Sequence, residues 1–175
     1  MPIKQDAQTV TADGARLEPL PDGMVLRDLV THVDDRGTVC ELYDLRWDVH
    51  PDPLVFAYTF TIRPGRAKGW GLHRRHDDRY ALLAGDLELA FYDAREPGTS
   101  STAGREFRLV LSGHRRQLLT IPAGVWHAER NLGATDVVVV NFPTIPYDHA
   151  APDKYRLPLD TDELPVELGA GWVGW

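Results

Sequence analysis

His73 and His127 are the residues whose type and setting point to chemistry. The first lies in Gly69-Trp70-Gly71-Leu72-His73-Arg74-Arg75-His76-Asp77-Asp78-Arg79-Tyr80. The second lies in Ile121-Pro122-Ala123-Gly124-Val125-Trp126-His127-Ala128-Glu129-Arg130-Asn131, which reads P-x-G-x-x-H-x-x-x-N. Imidazole ionises near neutral pH, so a pocket histidine serves as base, acid or metal ligand. Two histidines on different strands of a small barrel can face one interior, which holds packed side chains or one small ligand. The expectation is a shared site built on His73 and His127. His32, His50, His114 and His149 are read as structural, and His76, among Arg and Asp, as a solvated loop residue.

The elements that must position these histidines are strands. Short apolar runs or alternations occur at 24–33, 37–45, 54–62, 80–83, 87–92, 107–111, 117–121 and 137–142. They are rich in β-branched and aromatic side chains, which suit a pleated sheet. Leu87-Glu88-Leu89-Ala90-Phe91 alternates as a strand with one wet face does. Val137–Val140 is continuous, as in a strand buried on both sides. Turn residues punctuate the runs at Asp35-Arg36-Gly37, Arg63-Pro64-Gly65, Ala84-Gly85-Asp86, Pro97-Gly98 and Pro122-Ala123-Gly124. No helical periodicity and no internal repeat interrupts the pattern. The reading is an all-β barrel or sandwich forming a single domain over 1–175. Residues 1–30 form an N-terminal segment open to pairing with a partner subunit, and 143–175 a Pro-rich wrap over the barrel.

Composition narrows the function. The chain of 175 residues carries 26 acidic and 19 basic side chains, a net charge of −7, which argues against a nucleic-acid partner. The single cysteine excludes an internal disulfide and a multi-thiolate zinc site. No run approaches the length of a membrane helix, and the first residues lack the apolar stretch of a secretion signal. A soluble cytoplasmic protein with no membrane partner is expected.

Several segments together resemble a known family. Asp34-Asp35-Arg36-Gly37 with Glu41, Gly71-Leu72-His73, Gly85-Asp86-Leu87 to Asp93-Ala94-Arg95, and Arg116-Gln117-Leu118 to His127 are similar to signature segments of the dTDP-4-dehydrorhamnose 3,5-epimerase family. That family belongs to the cupin superfamily, and the likeness runs from Val33 to about Asp162. It implies a cupin-type jelly-roll β-barrel, a homodimer and a metal-free isomerase with no cofactor. The implied reaction epimerises or isomerises a 4-keto sugar nucleotide by proton abstraction next to the carbonyl, in a deoxysugar pathway. The resemblance makes His73 the base, with His127 beside it and Tyr147 as acid. Asp160, or Asp162, would orient His73 in place of a family carboxylate. Tyr58, Phe60, Trp70, Arg74, Arg79 and Trp126 are the expected substrate-binding residues, with Arg63, Arg66, Lys68 and Arg75 as further positive charge for a diphosphate. Trp70 and Trp126 would form an aromatic wall for a sugar ring.

The chain also departs from the family. Trp70 replaces an arginine, and Asp78 replaces a lysine that would steady an enolate. Two other readings therefore stand. In one, His73, Asp78 and His127 form a two-histidine, one-carboxylate site for one divalent metal ion such as Fe, Mn, Ni or Zn, with His76 as a further ligand. Gly71 stands where metal-binding cupins usually carry another histidine. In the other, the barrel binds a sugar or another small molecule without catalysis.

Overall fold

The structure is a computed structural model that describes residue 3 and residues 5–174. Its elements are strands β1 (Val25–Asp28), β2 (Thr31–Asp34), β3 (Gly37–Cys40), β4 (Tyr58–Ile62), β5 (Ala67–Leu72) and β6 (Asp78–Ala84). They continue with β7 (Asp86–Asp93), β8 (Glu106–Ser112), β9 (Gln117–Ile121), β10 (Val125–Asn131), β11 (Val137–Asn141) and β12 (Tyr155–Leu157). A 3-10 turn spans Leu45–Trp47. The expected strand at 117–121 coincides with β9, whereas the run at 24–33 splits into β1 and β2. Strands β5, β10 and β12 were not among the expected runs. Lys68, Gly69, His127 and Glu129, which meet a polar interior, and Arg130, which pairs with Glu88 on the outer face, interrupt their apolar patterns.

Two antiparallel five-stranded sheets face one another as a jelly roll. One has the order β1-β9-β6-β11-β4 and the other β12-β5-β10-β7-β8. The β2–β3 hairpin stands apart as a two-stranded sheet. Alternation along the strands divides each side chain between the interior and an outer face. Leu82, Leu87, Leu89, Phe91, Phe107, Leu109, Val137 and Val139 fill the interior as one buried cluster. Val137–Val140 runs through the sheet as expected, with Val137 and Val139 fully buried and Val138 and Val140 partly so.

Three adjacent strands grade from polar to apolar along their inner faces. The registers pair Asn141 with Tyr80 and Tyr58, then Val139 with Leu82 and Phe60. Ile62 then pairs with Val137 at the far end. The polar end of this sheet faces His127 and Glu129 of β10. The β6–β7 turn demands glycine at 85. Its φ is +84°, and a Cβ there would come within 2.9 Å of Val137 Cα.

The second sheet buries its outer face under the C-terminal segment. Leu164 and Val166 pack with Trp70, Ala90 and Ala128, joined by Trp126 and Trp172. On the first sheet, Arg79 is fully buried and holds the loop at 43–53 and the chain after β11. Its guanidinium donates to Tyr43 Oη at 2.6 Å, Asp52 O at 2.9 Å, Pro53 O at 3.0 Å, Phe142 O at 2.6 Å and Pro143 O at 3.3 Å.

Asp93 closes the other end of β7. Its buried carboxylate accepts hydrogen bonds from Arg95, Ser100 and Thr102 at 2.6–2.8 Å. Burial opposes ionisation, but these donors outweigh it and hold the pKa well below the usual carboxylate range. A depressed folded-state pKa stabilises the fold above the unfolded value near pH 4 and loses that contribution as pH falls through the lower folded value. Asp93→Asn is expected to lose about 3 kcal/mol at pH 7, and the gap from wild type to narrow at pH 3. Urea denaturation at the two pH values checks both parts.

Candidate active site

The polar end of the barrel is organised around Asp78, whose carboxylate is 1% exposed. It leaves β6 on the inner face, and its neighbour Arg79 leaves on the outer one. Asn141 Nδ2, across on β11, donates to Asp78 Oδ1 at 2.6 Å. His73, just past the end of β5, brings Nε2 to 3.1 Å from Asp78 Oδ2. His127 Nε2 lies 3.7 Å from the same oxygen. His76 Nε2 lies 3.8 Å from Oδ1. His73 and His127 are thus brought together as the sequence suggests. His76 is not a solvated loop residue: it is partly buried, with its ring 4.2 Å from that of His73. Binding of the loop to Asp153 draws it inward.

Each imidazole is anchored through Nδ1. His73 Nδ1 donates to Asp153 O at 2.5 Å. His76 Nδ1 donates to Asp153 Oδ2 at 2.8 Å. His127 Nδ1 donates to Val125 O at 3.2 Å. Nδ1 meets an oxygen acceptor in each ring, so it carries hydrogen and Nε2 is left to face the cluster. Asp153 also accepts from the backbone N–H groups of Arg74 and Arg75. His73 Nδ1 thus meets the backbone carbonyl of Asp153 and not the carboxylate of Asp160, which sits exposed on a turn outside the cavity.

These contacts set the charges. Burial lowers the pKa of His73, but the hydrogen bond and charge of Asp78 more than compensate and raise it. Both nitrogens of His73 face acceptors, so its surroundings favour the protonated ring, a donor rather than the base that the resemblance implies. Burial lowers His127 to about 4, leaving it neutral at pH 7. His76 is lowered by burial and by the charge of His73. Asp78 is held low despite burial by its hydrogen bond with His73. Glu129, two residues beyond His127 on the same face of β10, is pushed up to about 7 by burial. It accepts a hydrogen bond from Tyr80 Oη at 3.1 Å.

Two adjoining cavities open onto this cluster. The inner one, about 220 Å³, is lined by Phe60, Lys68, Gly71, His127 and Glu129 among others. The outer one, about 260 Å³, is lined by Arg75, His76, Ile145, Tyr147 and Asp153 among others. Tyr58, His73, Lys154 and Arg156 line both.

Of the residues expected to bind or act on the substrate, Tyr58, Phe60 and Tyr147 line these cavities. Trp70, Trp126 and Arg79 do not. Trp70 and Trp126 alternate with Gly71 and His127 along their strands, so they point to the outer face and pack under the tail. Arg74 lies outside both cavities, with its guanidinium 4.4 Å from the Tyr155 ring centre. Lys154, Asp153 and Glu129 were not foreseen. Only Glu129 carried a local signal, its period-two spacing from His127.

No protein-family model matches the sequence. A probable low-salt glycan biosynthesis epimerase, Agl13 of Haloferax volcanii, is 32% identical over 137 residues, 77% of this chain and 86% of the relative. The chain belongs to the dTDP-4-dehydrorhamnose 3,5-epimerase-like family of cupins. The spore coat polysaccharide biosynthesis protein SpsL of Bacillus subtilis is 31% identical over 145 residues, 82% of this chain and 93% of the relative. A dTDP sugar isomerase from Desulfovibrio desulfuricans G20 superposes with a TM-score of 0.76 at 26% identity, over 85% of this chain and 94% of that one. In the present chain His73 lies against the buried carboxylate of Asp78.

The outward setting of Arg79 makes a prediction that separates fold from binding. Arg79→Met is expected to cost about 3 kcal/mol in stability, because it strands several buried carbonyls. Nucleotide affinity measured by calorimetry at a temperature where the variant is folded should stay within about twofold, since 1.4 kcal/mol would be tenfold.

Proposed function

We propose that this chain epimerises a keto sugar nucleotide, moving a proton off and back onto a carbon next to the carbonyl. The observation that carries the reading is the inner cavity, where the Glu129 carboxylate and His73 line one wall system with Lys68 and Lys154. The dTDP-sugar neighbours support a sugar nucleotide as substrate. Removal of the proton sends the C–H electron pair to the carbonyl oxygen as an enolate. Donors aimed at that oxygen lower the barrier. Here the ammonium groups of Lys68 and Lys154, which line the inner cavity, are the donors at hand. Glu129 takes the carbon-bound proton, because its carboxylate accepts one hydrogen bond and faces the cavity. Tyr147, half-exposed in the outer cavity, returns a proton from the other side. Arg75, Lys154 and Arg156 give the outer cavity the positive charge that a diphosphate needs.

The homodimer that the resemblance implies belongs to this proposal. It would cover the β2–β3 hairpin, whose Val33 and Val39 are exposed. Among the described residues no helix is long and apolar enough to cross a membrane. The acidic net charge speaks against a nucleic-acid partner, and a cytoplasmic setting is proposed.

Proton exchange tests the reaction. The enzyme with a dTDP-4-keto-6-deoxysugar in deuterated water is expected to place deuterium at carbon 3 or 5, seen by NMR. Glu129→Gln should slow this exchange by about 10²–10⁴-fold while binding of dTDP persists. Exchange that survives Glu129→Gln at the wild-type rate would remove Glu129 from its role, and no exchange in the wild type would reject this substrate class.

A further inference from the structure

We infer that Tyr58 is a catalytic residue whose hydroxyl donates a hydrogen bond to the sugar carbonyl and to the enolate oxygen that forms from it. The inference rests on the proposed reaction and adds a neutral donor to the two ammonium groups of the inner cavity.

The direction of the Tyr58 hydrogen follows from its neighbours. Asn141 is fully buried on β11, opposite Tyr58 of β4 on one side and Tyr80 of β6 on the other. Its Oδ1 accepts from the backbone N–H of Arg79 at 3.0 Å. That contact assigns the two ends of the amide. The reverse placement would set the amide nitrogen against an N–H and the amide oxygen against the Asp78 carboxylate. Nδ2 carries two hydrogens. One goes to Asp78 Oδ1 at 2.6 Å and the other to Tyr58 Oη at 3.0 Å. Tyr58 Oη is therefore the acceptor in this contact. Its own hydrogen has no acceptor among the described residues and is left for a ligand.

Tyr58 also stands where the two cavities meet. It lines both, and the Phe56 ring packs beside it at 5.7 Å between centres. Glu129 lines the inner cavity and Tyr147 the outer one. A carbon that loses its proton to one of these groups and regains one from the other forms its enolate between them. A donor common to both cavities is placed for the oxygen of that enolate.

The same surroundings keep the hydrogen on Tyr58. Burial and the charge of Asp78 push its pKa up, and the hydrogen bond from Asn141 offsets only part of that. Such a phenol donates without parting with its proton, so the proton transfers stay with Glu129 and Tyr147. A fixed donor acts most strongly where charge develops in the transition state and water is excluded. Asp78 increases the need for one, because its carboxylate opposes a second negative charge nearby. Asn141 stands between the two and turns one N–H to each, so the hydroxyl is held by a donor and not drawn towards the carboxylate.

The test compares full-length wild type with Tyr58→Phe, which removes one hydroxyl from a residue 37% exposed on an edge strand. Circular dichroism should be unchanged. The kcat for deuterium exchange into the dTDP-4-keto-6-deoxysugar should fall about 10²–10³-fold. KM should move by less than about threefold, as for a contact made chiefly in the transition state. A second measurement reads the hydrogen bond without turnover. The sugar, labelled with carbon-13 at its carbonyl, is bound to Glu129→Gln protein with and without Tyr58→Phe. Isotope-edited infrared spectroscopy then follows the carbonyl stretch, which is expected at lower frequency when the Tyr58 hydroxyl is present. An unchanged stretch overturns the donor, and a loss confined to KM overturns its catalytic role. Exchange by the wild type leaves the reaction standing in both cases. A stretch that shifts with the hydroxyl, without exchange by the wild type, keeps the donor and removes the reaction.

Discussion

The buried carboxylate of Asp78 is the constraint on which the rest of the site depends. An isolated charge in a barrel interior costs several kcal/mol, so the fold must supply donors or cations around it. Asn141 supplies one from β11 and His73 another from the end of β5. His73 is then fixed from its other side by Asp153, which also receives the backbone N–H groups of Arg74 and Arg75. A single carboxylate thereby ties β6, β11, the loop after β5 and the chain before β12 into one arrangement. The position of the C-terminal segment, with Lys154 and Arg156 beside the cavity, follows from that tie.

Strand alternation does the remaining sorting. Asp78 and Arg79 are consecutive, and so are Trp126 and His127. One member of each pair faces the cavity while the other packs on the outside of its sheet. Arg79 spends its charge on carbonyls of the 52–53 and 142–143 segments. Trp126 and Trp70 spend their area against the tail. The two faces serve different ends, one holding a ligand and one holding the chain around it. This is why the largest aromatic side chains near the histidines contribute to packing rather than to recognition.

That division marks what was legible in the sequence. The β class, the strand at 117–121 and the pairing of His73 with His127 could be read, because local propensity and turn residues agree with the tertiary result there. The wall of Trp70 and Trp126 was misread because adjacency in sequence is opposition in a strand. Glu129 could have been read by the same period-two rule that places His127 inside. Asp153 could not, because its link to His73 and His76 closes a loop of some eighty residues and leaves no local trace. His76 shows the limit differently: its polar neighbours suggest a wet loop, yet two of them, Asp77 and Asp78, are the groups that draw the loop in. Asp77 accepts from the Ala123 backbone and pairs with His50, closing the loop against the β9–β10 turn.

The aspartate at 78 also changes the electrostatic problem. A lysine at that place would bring its own positive charge to an enolate from inside the barrel. An aspartate does the reverse, and a second negative charge forming beside it would be disfavoured. Positive charge must then come from elsewhere on the cavity wall. Three imidazoles converge on the carboxylate, and His73 Nε2 lies within hydrogen-bond distance of it. Lys154 approaches along the cavity wall at the cost of a lowered pKa, chiefly through burial. The net charge of −7 therefore says little about this chemistry. What decides it is that one buried negative charge makes its surroundings receptive to a positive one, at the point where the reaction needs it.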